Sequence, residues 1–455
     1  MSLGGLLSIA RSALFVHQRA MEVTGHNVAN ANTPGYSKQT LQIQAATPLV
    51  LPEYSLGRGV EATAITRQRD TFYDAAYRRD NGGLGNSGTL RDTMSEVESM
   101  LNEPSTTGFS AALDGLFSSL SEVANDPTNK VSRDQVVSSA QRVTQQLNAL
   151  ANNLNRIQQD AAANLRTQVG TVNQLASQIA DLNGKILESA GPGGASADLM
   201  DQRDALIDQL SQSMDVRVMQ RADGSVSVAA NDTVLVDGTH ASALAVAASG
   251  AGLGITPAAG GAFIDPQSGS IAALVNLTQT RLPAVQSSLD QLASALVTEF
   301  NRVHRTGTTP GGGTNLDFFD PTGTTASTIQ LSASLRTSSD ALATSGNGAP
   351  GNGDVATQLA ALATTNVASL GGTTFRESFV GLASGVGLDV TNATQDATGL
   401  QTLVDRDDAA RTATSGVNVD EEMISLIASQ QAYTAAARLV TVADQMMQQV
   451  LAIGQ

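Results

Sequence analysis

Leu3, Leu7, Ala10, Leu14, His17 and Met21 are separated by alternating steps of four and three residues, the spacing of a coiled-coil seam, and predict a helix over the first thirty positions. Leu6, Ile9, Ala13, Val16, Ala20 and Val23 repeat that spacing on an adjacent stripe. A helix apolar over so much of its circumference needs several neighbours, not one. The far end is built the same way. Beyond the breaker Gly416, Asn418 and Glu421 have capping-box spacing, and Asp420, Glu421 and Glu422 put negative charge where a helix dipole is positive. Val419, Met423, Leu426, Tyr433, Ala437, Val440, Met447 and Leu451 then hold one seam, with Gln430 and Asp444 as polar interruptions. Ala428, Ala432, Ala435, Leu439, Val442, Met446 and Ile453 hold a second.

Between the ends, Val136, Ala140, Val143, Leu147, Leu150, Leu154, Ile157 and Ala161 stay in register, and Leu165, Val172, Leu175, Ile179, Leu182 and Ile186 resume the pattern after two four-residue steps. The stretch 130–187 therefore predicts one rod of roughly 85 Å at 1.5 Å per residue. Shorter helices over 90–101, 109–123 and 199–214 are expected to fold against it, as is 271–304, where Pro283 predicts a kink or break. From Val216 the period falls to two. VRV, SVSVA and TVLV, punctuated by Asp223-Gly224 and Asp237-Gly238, predict hairpins that end near Phe263. The Gly-, Thr- and Ser-rich stretch 306–354 reads as loops with a short strand at 328–331. The fold class that follows is mainly α with a small antiparallel β insertion.

Composition narrows what these helices are for. Of 455 residues 41% are hydrophobic but only 3% aromatic, with no Trp, so packing is expected through aliphatic side chains and Met rather than an aromatic core. The formal net charge of −16, with no cluster of Lys and Arg, argues against a nucleic-acid partner. No apolar run reaches membrane-spanning length and Arg11 interrupts the apolar start, so neither membrane insertion nor a cleaved signal peptide is expected. Cys is absent, which excludes disulfides and thiolate chemistry.

Candidate chemistry is sparse. GNGAPG at 346–351 fits the G-x-G-x-x-G fingerprint, but no strong strand precedes it and it reads as a linker. His17, His26, His240 and His304 fall in four expected elements without paired ligand spacing, so no metal or other cofactor is expected. His17 reads as a packed or interface residue, and His304, beside Arg302 and Arg305, as charge at a helix C-terminus. Asp405, Asp407 and Asp408 lack the glycine and terminal Glu of an EF-hand and read as a solvated helix face. With no G-x-S-x-G elbow, no enzyme is expected.

Function is then to be sought in the terminal seams. If the two helices pair within the chain, one seam of each is satisfied. The other is left to water, about six apolar side chains per helix at roughly 1.5 to 3 kcal/mol each, which favours packing between molecules. Until then the ends, 1–30 and 419–455, are expected to be mobile. The stretch NVANANTPGYSKQ, 27–39, reads as the joint behind the first helix. Asn27, Asn30 and Asn32 suit helix ends and turns, Pro34 stops the helix, Gly35 supplies the turn, and Tyr36 is expected to pack its ring with its hydroxyl in water.

MSLGGLLSIARSALFVHQRAMEVTGHNVANANTPGYSKQ resembles the N-terminus shared by bacterial flagellar axial proteins, and SGVNVDEEMISLIASQQAYTAAARLVTVADQMMQQVL resembles their C-terminus. The run SGVNVDEE, the long helix, LMDQRDALIDQL and LDQLASALVTEFNRVHRTG look like the hook-associated protein 1 family. That resemblance implies a non-enzymatic structural subunit between hook and filament. Terminal helices at 1–33 and 417–455 would form an inner tube, with a mainly helical domain at 34–215 and 267–416 around it and the β domain at 216–266 projecting outwards. Self-association in a ring or helical array would use Leu3, Leu6, Leu7, Ile9, Leu14, Val16, Met21, Met423, Leu426, Tyr433, Val440, Met447 and Leu451. Hook protein and the next junction protein are the implied neighbours. A flagellar export chaperone is implied on the C-terminal helix, with Leu439, Val442, Met446 and Val450 as candidate contacts, and type III export without a cleaved signal. The outer region is short for the family. A hook or rod subunit, or a secreted helical binding module, is the alternative.

Overall fold

Both two-seamed ends and the central rod are helical in the computed structural model, which describes residues 3–50, 55–189, 196–250 and 252–453. Met1, Ser2, Gly454 and Gln455 of the expected terminal ranges lie outside the described residues. Helix α1 (Leu3–Asn30) is followed by β1 (Gln39–Ala45), the short pair β2 (Leu49–Val50) and β3 (Ser55–Leu56), and β4 (Val60–Arg67), which returns antiparallel to β1. This hairpin adds strands at the start of the mainly helical stretch expected from 34 onwards. A period-two signal is present in QTLQIQA and VEATAITR, but β1 is mostly exposed, so few apolar positions mark it.

Four helices follow: α2 (Thr71–Leu101), α3 (Phe109–Asn125), α4 (Lys130–Ser189) and α5 (Ala197–Ser213). α2 starts well before the expected position near Leu90. Gly82, Gly83, Gly85 and Gly88 hide its first half, each lowering helix propensity by roughly 1 kcal/mol relative to Ala. Two of them serve packing instead. A Cβ on Gly85 would sit 2.1 Å from the Gln212 carbonyl oxygen, and one on Gly82 3.0 Å from that of Ser211, so glycine is what lets α2 lie this close to α5.

The rod α4 has 60 residues, a length of about 90 Å. Its seam residues are buried as expected, except that Leu182 is half-buried and Asn183 takes the inward place. The Asn183 amide donates to the carbonyl oxygens of Val226 (2.9 Å) and Gly238 (2.7 Å) and accepts from the Val226 N–H, pinning the rod to the strands. These are β5 (Arg217–Gln220), β6 (Val226–Ala230), β7 (Thr233–Asp237) and β8 (His240–Ala241), an antiparallel sheet in that order, followed by the hairpin β9 (Leu244–Ser249) and β10 (Gly252–Pro257). Gly224 and Gly238 turn at φ of +86° and +60°, as the Asp-Gly pairs imply. Val226, Val228, Leu235, Val236, Leu244 and Ile255 belong to one continuous core with α4 rather than to a core of their own.

After α6 (Gly269–Asn276) a π turn at Leu277–Arg281 precedes α7 (Leu282–His304), so the break expected at Pro283 takes the form of one wide turn. The expected strand at 328–331 is only an isolated bridge between Phe319 and Leu331. That segment is nevertheless packed: the Asn301 amide holds the N–H groups of Phe318 and Phe319 and the Phe319 carbonyl. The phenylalanines are few but concentrated. Phe300 has the rings of Phe318 and Phe319 at 5.1 and 5.3 Å, and Phe109, Phe375 and Phe379 are fully buried nearby in the same core, which corrects the expectation of a purely aliphatic interior. The short α8 (Ala333–Thr337) and α9 (Asp354–Ala361) lead to α10 (Phe375–Ser415), started by a Thr374–Glu377 capping box and antiparallel to α2, and then to α11 (Val419–Ile453).

Candidate assembly interface and the joint that carries it

α1 and α11 pair antiparallel, with Asn27 near the end of one bonded to Glu422 near the start of the other. On α1, Ala10, Val16 and Val23 are buried, while Leu3, Leu6, Leu7, Ile9, Leu14 and Met21 are half-buried. The expectation of a free seam on this helix is corrected. Its second neighbour is the β1–β4 hairpin, where the Val60 N–H meets Ser12 Oγ and the Gly59 backbone passes Ile9. Only Phe15, 63% exposed, stands clear as a large apolar residue.

The surplus lies on α11. Ala436, Ala443 and Glu422 are its buried residues, and Leu426 and Val440 are half-buried beside them, so its inner seam is made largely of small side chains. Ile424, Ala428, Ala435, Leu439, Val442, Met446 and Val450 follow one another at helical spacing on an outward stripe, and all are exposed, Ile424 by 68%. Met423, Tyr433, Met447 and Leu451, assigned to the first seam by spacing, are exposed as well. At roughly 1.5 to 3 kcal/mol for each large side chain that burial would cover, the stripe is a strong drive to association.

The joint between this pair and the rest is polar and saturated. Asn27 is buried and uses its whole amide: Nδ2 donates to Gln39 O and Glu422 Oε2, both at 2.9 Å, and Oδ1 accepts from the Gln39 N–H and the Tyr36 hydroxyl. The Tyr36 hydroxyl is therefore bonded, not kept in water as expected, and burial with Asp198, Asp201 and Glu422 nearby raises its pKa. Its ring rests on His26. Asn30 donates to the His26 carbonyl and accepts from Thr33, Gly35 turns at φ +78°, and Asn32 and Pro34 are exposed. Lys38 pairs with Glu422 at 3.0 Å, and that hydrogen bond raises the pKa of the ammonium. Ser37 donates twice to Asp201 on α5.

Behind the joint, Asp201, Asp204 and Asp208 share one face of α5 by three- and four-residue spacing. Arg67 reaches Asp201 (2.7 Å) and Asp204 (2.9 Å), Arg69 forks onto Asp74, and Arg78 holds Asp208. Arg411 of α10 ties Asp74 and Asp208 together over the Tyr77 ring. Burial works against the charge on Asp204, but Arg69, Arg67, Arg203 and Arg78 outweigh it and hold this carboxyl below the usual range. This ionic cluster locks β4, α2, α5 and α10 at one point. LMDQRDALIDQL carried its signal: acids at helical spacing around a buried Arg203.

Two further expectations are corrected. His304 is fully buried, with Nδ1 donating to the Leu316 carbonyl at 2.7 Å and Nε2 accepting the Ala343 N–H, and burial lowers its pKa, so it is a neutral anchor rather than a helix-end charge. Asp407 is likewise buried, while Asp405 and Asp408 are exposed as expected of a solvated helix face. His17 is half-buried on α1. Among the described residues no group of three or more His, Asp or Glu could hold a metal ion, and no helix is long and apolar enough to cross a membrane.

Known proteins match these same regions. Residues 94–319 match the flagellar hook-associated protein FlgK helical domain, 7–36 the flagella basal body rod protein family, and 411–453 the C-terminal family of flagellar basal body rod FlgEFG proteins. The chain is 32% identical to flagellar hook-associated protein 1 of Bacillus subtilis, over 98% of this chain and 97% of that one. To the protein of the same name from Salmonella typhimurium it is 27% identical, over 70% of this chain and 59% of the relative. The solved structure of the flagellar hook junction protein FlgK from Burkholderia pseudomallei superposes with a TM-score of 0.66 at 15% identity, covering 75% of this chain and all of that one, a likeness of fold.

Proposed function

The chain belongs to the flagellar hook-associated protein 1 family, a structural subunit of the flagellar junction, and from that premise we propose how it assembles. The outward stripe of α11 packs on the terminal helices of neighbouring copies, head to tail, and the repeated contact closes a ring or helical array around an axis. The hook protein lies on one side and the next junction protein on the other. Before assembly a flagellar export chaperone covers Leu439, Val442, Met446 and Val450, and the chain leaves the cell without a cleaved signal. The subunit is not an enzyme.

The observation that carries this reading is the row of exposed aliphatic and Met side chains on α11, paired with a joint whose polar groups are satisfied internally. Deletion of the gene is expected to leave hooks in place while flagellin escapes unpolymerised into the medium. Bare rods without hooks would sink the junction assignment. The terminal matches to rod families favour a rod or hook subunit as the second reading. Labelling decides between them: a junction subunit forms a thin zone at the distal end of the hook, a hook or rod subunit does not.

A further inference from the structure

GNGAPG, 346–351, is a loop between the Thr308–Ser345 bridge and α9, and nothing in the proposed assembly uses it. It holds one of the four Asn-Gly pairs of the chain, which begin at Asn81, Asn183, Asn347 and Asn352. Such a pair can react with itself, because glycine puts no side chain beside its backbone nitrogen and ring closure onto the asparagine Cγ is intramolecular. Three of the pairs are held out of reaction. Asn81 and Asn183 are buried on α2 and α4 with their amides bonded to other elements, and the helical ladder occupies the N–H groups of the glycines that follow. Asn352 is half-buried with its Nδ2 bonded, and a Cβ on Gly353 would sit 2.3 Å from the Ala124 carbonyl oxygen, so that backbone is packed tight.

Asn347 differs in each respect. It and Gly348 are exposed, and among the described residues neither the Gly348 N–H nor Asn347 Nδ2 has a hydrogen-bond partner, so the attacking and the leaving nitrogen are both free. Asn347 Oδ1 instead accepts three bonds, from Ser345 Oγ at 2.9 Å and from the Ala349 N–H and Asn352 Nδ2 at 3.0 Å each. The Ala349 N–H can only donate, which fixes which amide atom is the oxygen, and its bond from two positions on folds the side chain back over the Gly348 peptide. Addition of a nucleophile to Cγ moves negative charge onto that oxygen. Three donors already aimed at it are the arrangement that stabilises such an oxyanion.

We propose that Asn347 converts itself into aspartate and isoaspartate. The Gly348 nitrogen gives its proton to a solvent base and bonds to Cγ, the Cγ–Nδ2 bond breaks, and ammonia leaves with a proton taken from water. The succinimide so formed takes up water. Opening at the former side-chain carbonyl restores the normal chain as aspartate, and opening at the main-chain carbonyl leaves isoaspartate, with one more methylene in the backbone. Either product puts a carboxylate in place of a neutral amide, in a loop that Asp354 holds through the Gly346 N–H. Loss of ammonia makes the change one-way, so the proportion of converted chains records the age of the subunit.

The test incubates the full-length chain in warm, mildly alkaline buffer made with heavy-oxygen water and follows its peptides by tandem mass spectrometry. Asn347 is expected to convert at least about tenfold faster than Asn352, to take up one heavy oxygen atom and to yield both products. Ser345→Ala and Asn352→Ala each remove one donor to Oδ1 and should slow conversion by about tenfold. In guanidinium chloride, where all three donors are lost, Asn347 should convert more slowly than in the folded chain. Equal or faster conversion in the unfolded chain, equal rates at 347 and 352 in the folded one, or rates unchanged in both variants overturn the proposal, since any of these is the behaviour of an exposed Asn-Gly pair that the fold does not assist.

Discussion

Asn27 shows what a single polar residue at a seam position does. It continues the series Leu6, Ile9, Ala13, Val16, Ala20, Val23, so spacing alone places it inward, and the polar side chain at that place is the signal that a bonded partner waits there. Spacing could not name the partners, because Glu422 is 395 positions away. Asn27→Asp removes both amide donors and sets a carboxylate against Glu422. It should lower stability by about 1–3 kcal/mol and speed proteolytic cleavage within 31–38. Asn32→Asp, at an exposed position in the same motif, should do neither. Measured thermal unfolding of the two variants side by side separates the roles of residues that look alike in the sequence.

Among elements, α11 is the least buried of the long helices, and its two faces make opposite forecasts. Leu439→Ser with Val442→Ser changes only exposed positions, so the monomer should unfold within about 0.5 kcal/mol of the parent while sedimentation shows polymerisation lost. Ala436→Leu overpacks the inner seam and should cost the α1–α11 pairing about 1–3 kcal/mol. In hydrogen exchange on dilute monomer, α11 should exchange ahead of α4. Equal protection of the two would count against mobile ends. Elements with a long, regular seam were legible in the sequence, α4 nearly to the residue. The first half of α2 was not, because its glycines serve backbone contact with α5 rather than propensity, and the β1–β4 hairpin was not, because it shields α1 while staying exposed itself.

At the scale of the whole molecule, two buried groups give stability a stepped response to acid. Burial depresses the His304 pKa, so only the unfolded chain takes up a proton as pH falls below about 6.5, and stability is lost over that window. Asp204, held low by its arginines against the pull of burial, contributes above its unfolded pKa of about 3.9 and gives that up only as pH falls further. Urea midpoints from pH 7.5 to 3 should therefore fall in two stages, and His304→Gln should flatten the first. Asp204→Ala, which strands charged guanidinium groups in the interior, should cost about 3–5 kcal/mol. The cluster had left acids at helical spacing in the sequence, but its arginines come from four separate elements, and only the fold could assemble them.

The rod also makes the molecule a lever. Arg133, tied to Asp340, and Asn183, tied to the strands, are fifty positions apart on α4, about 75 Å along one helix. Asn183 lies close to the joint through Arg203 and the α5 aspartates, so the arm extends almost wholly to one side of its pivot. A rotation of one degree there moves the far tip by about 1.3 Å, enough to break or make a contact. How faithfully the distant loops are aimed is thus decided by the angular stiffness of the core packed along α4, with the bonds around Asn183 fixing its near end.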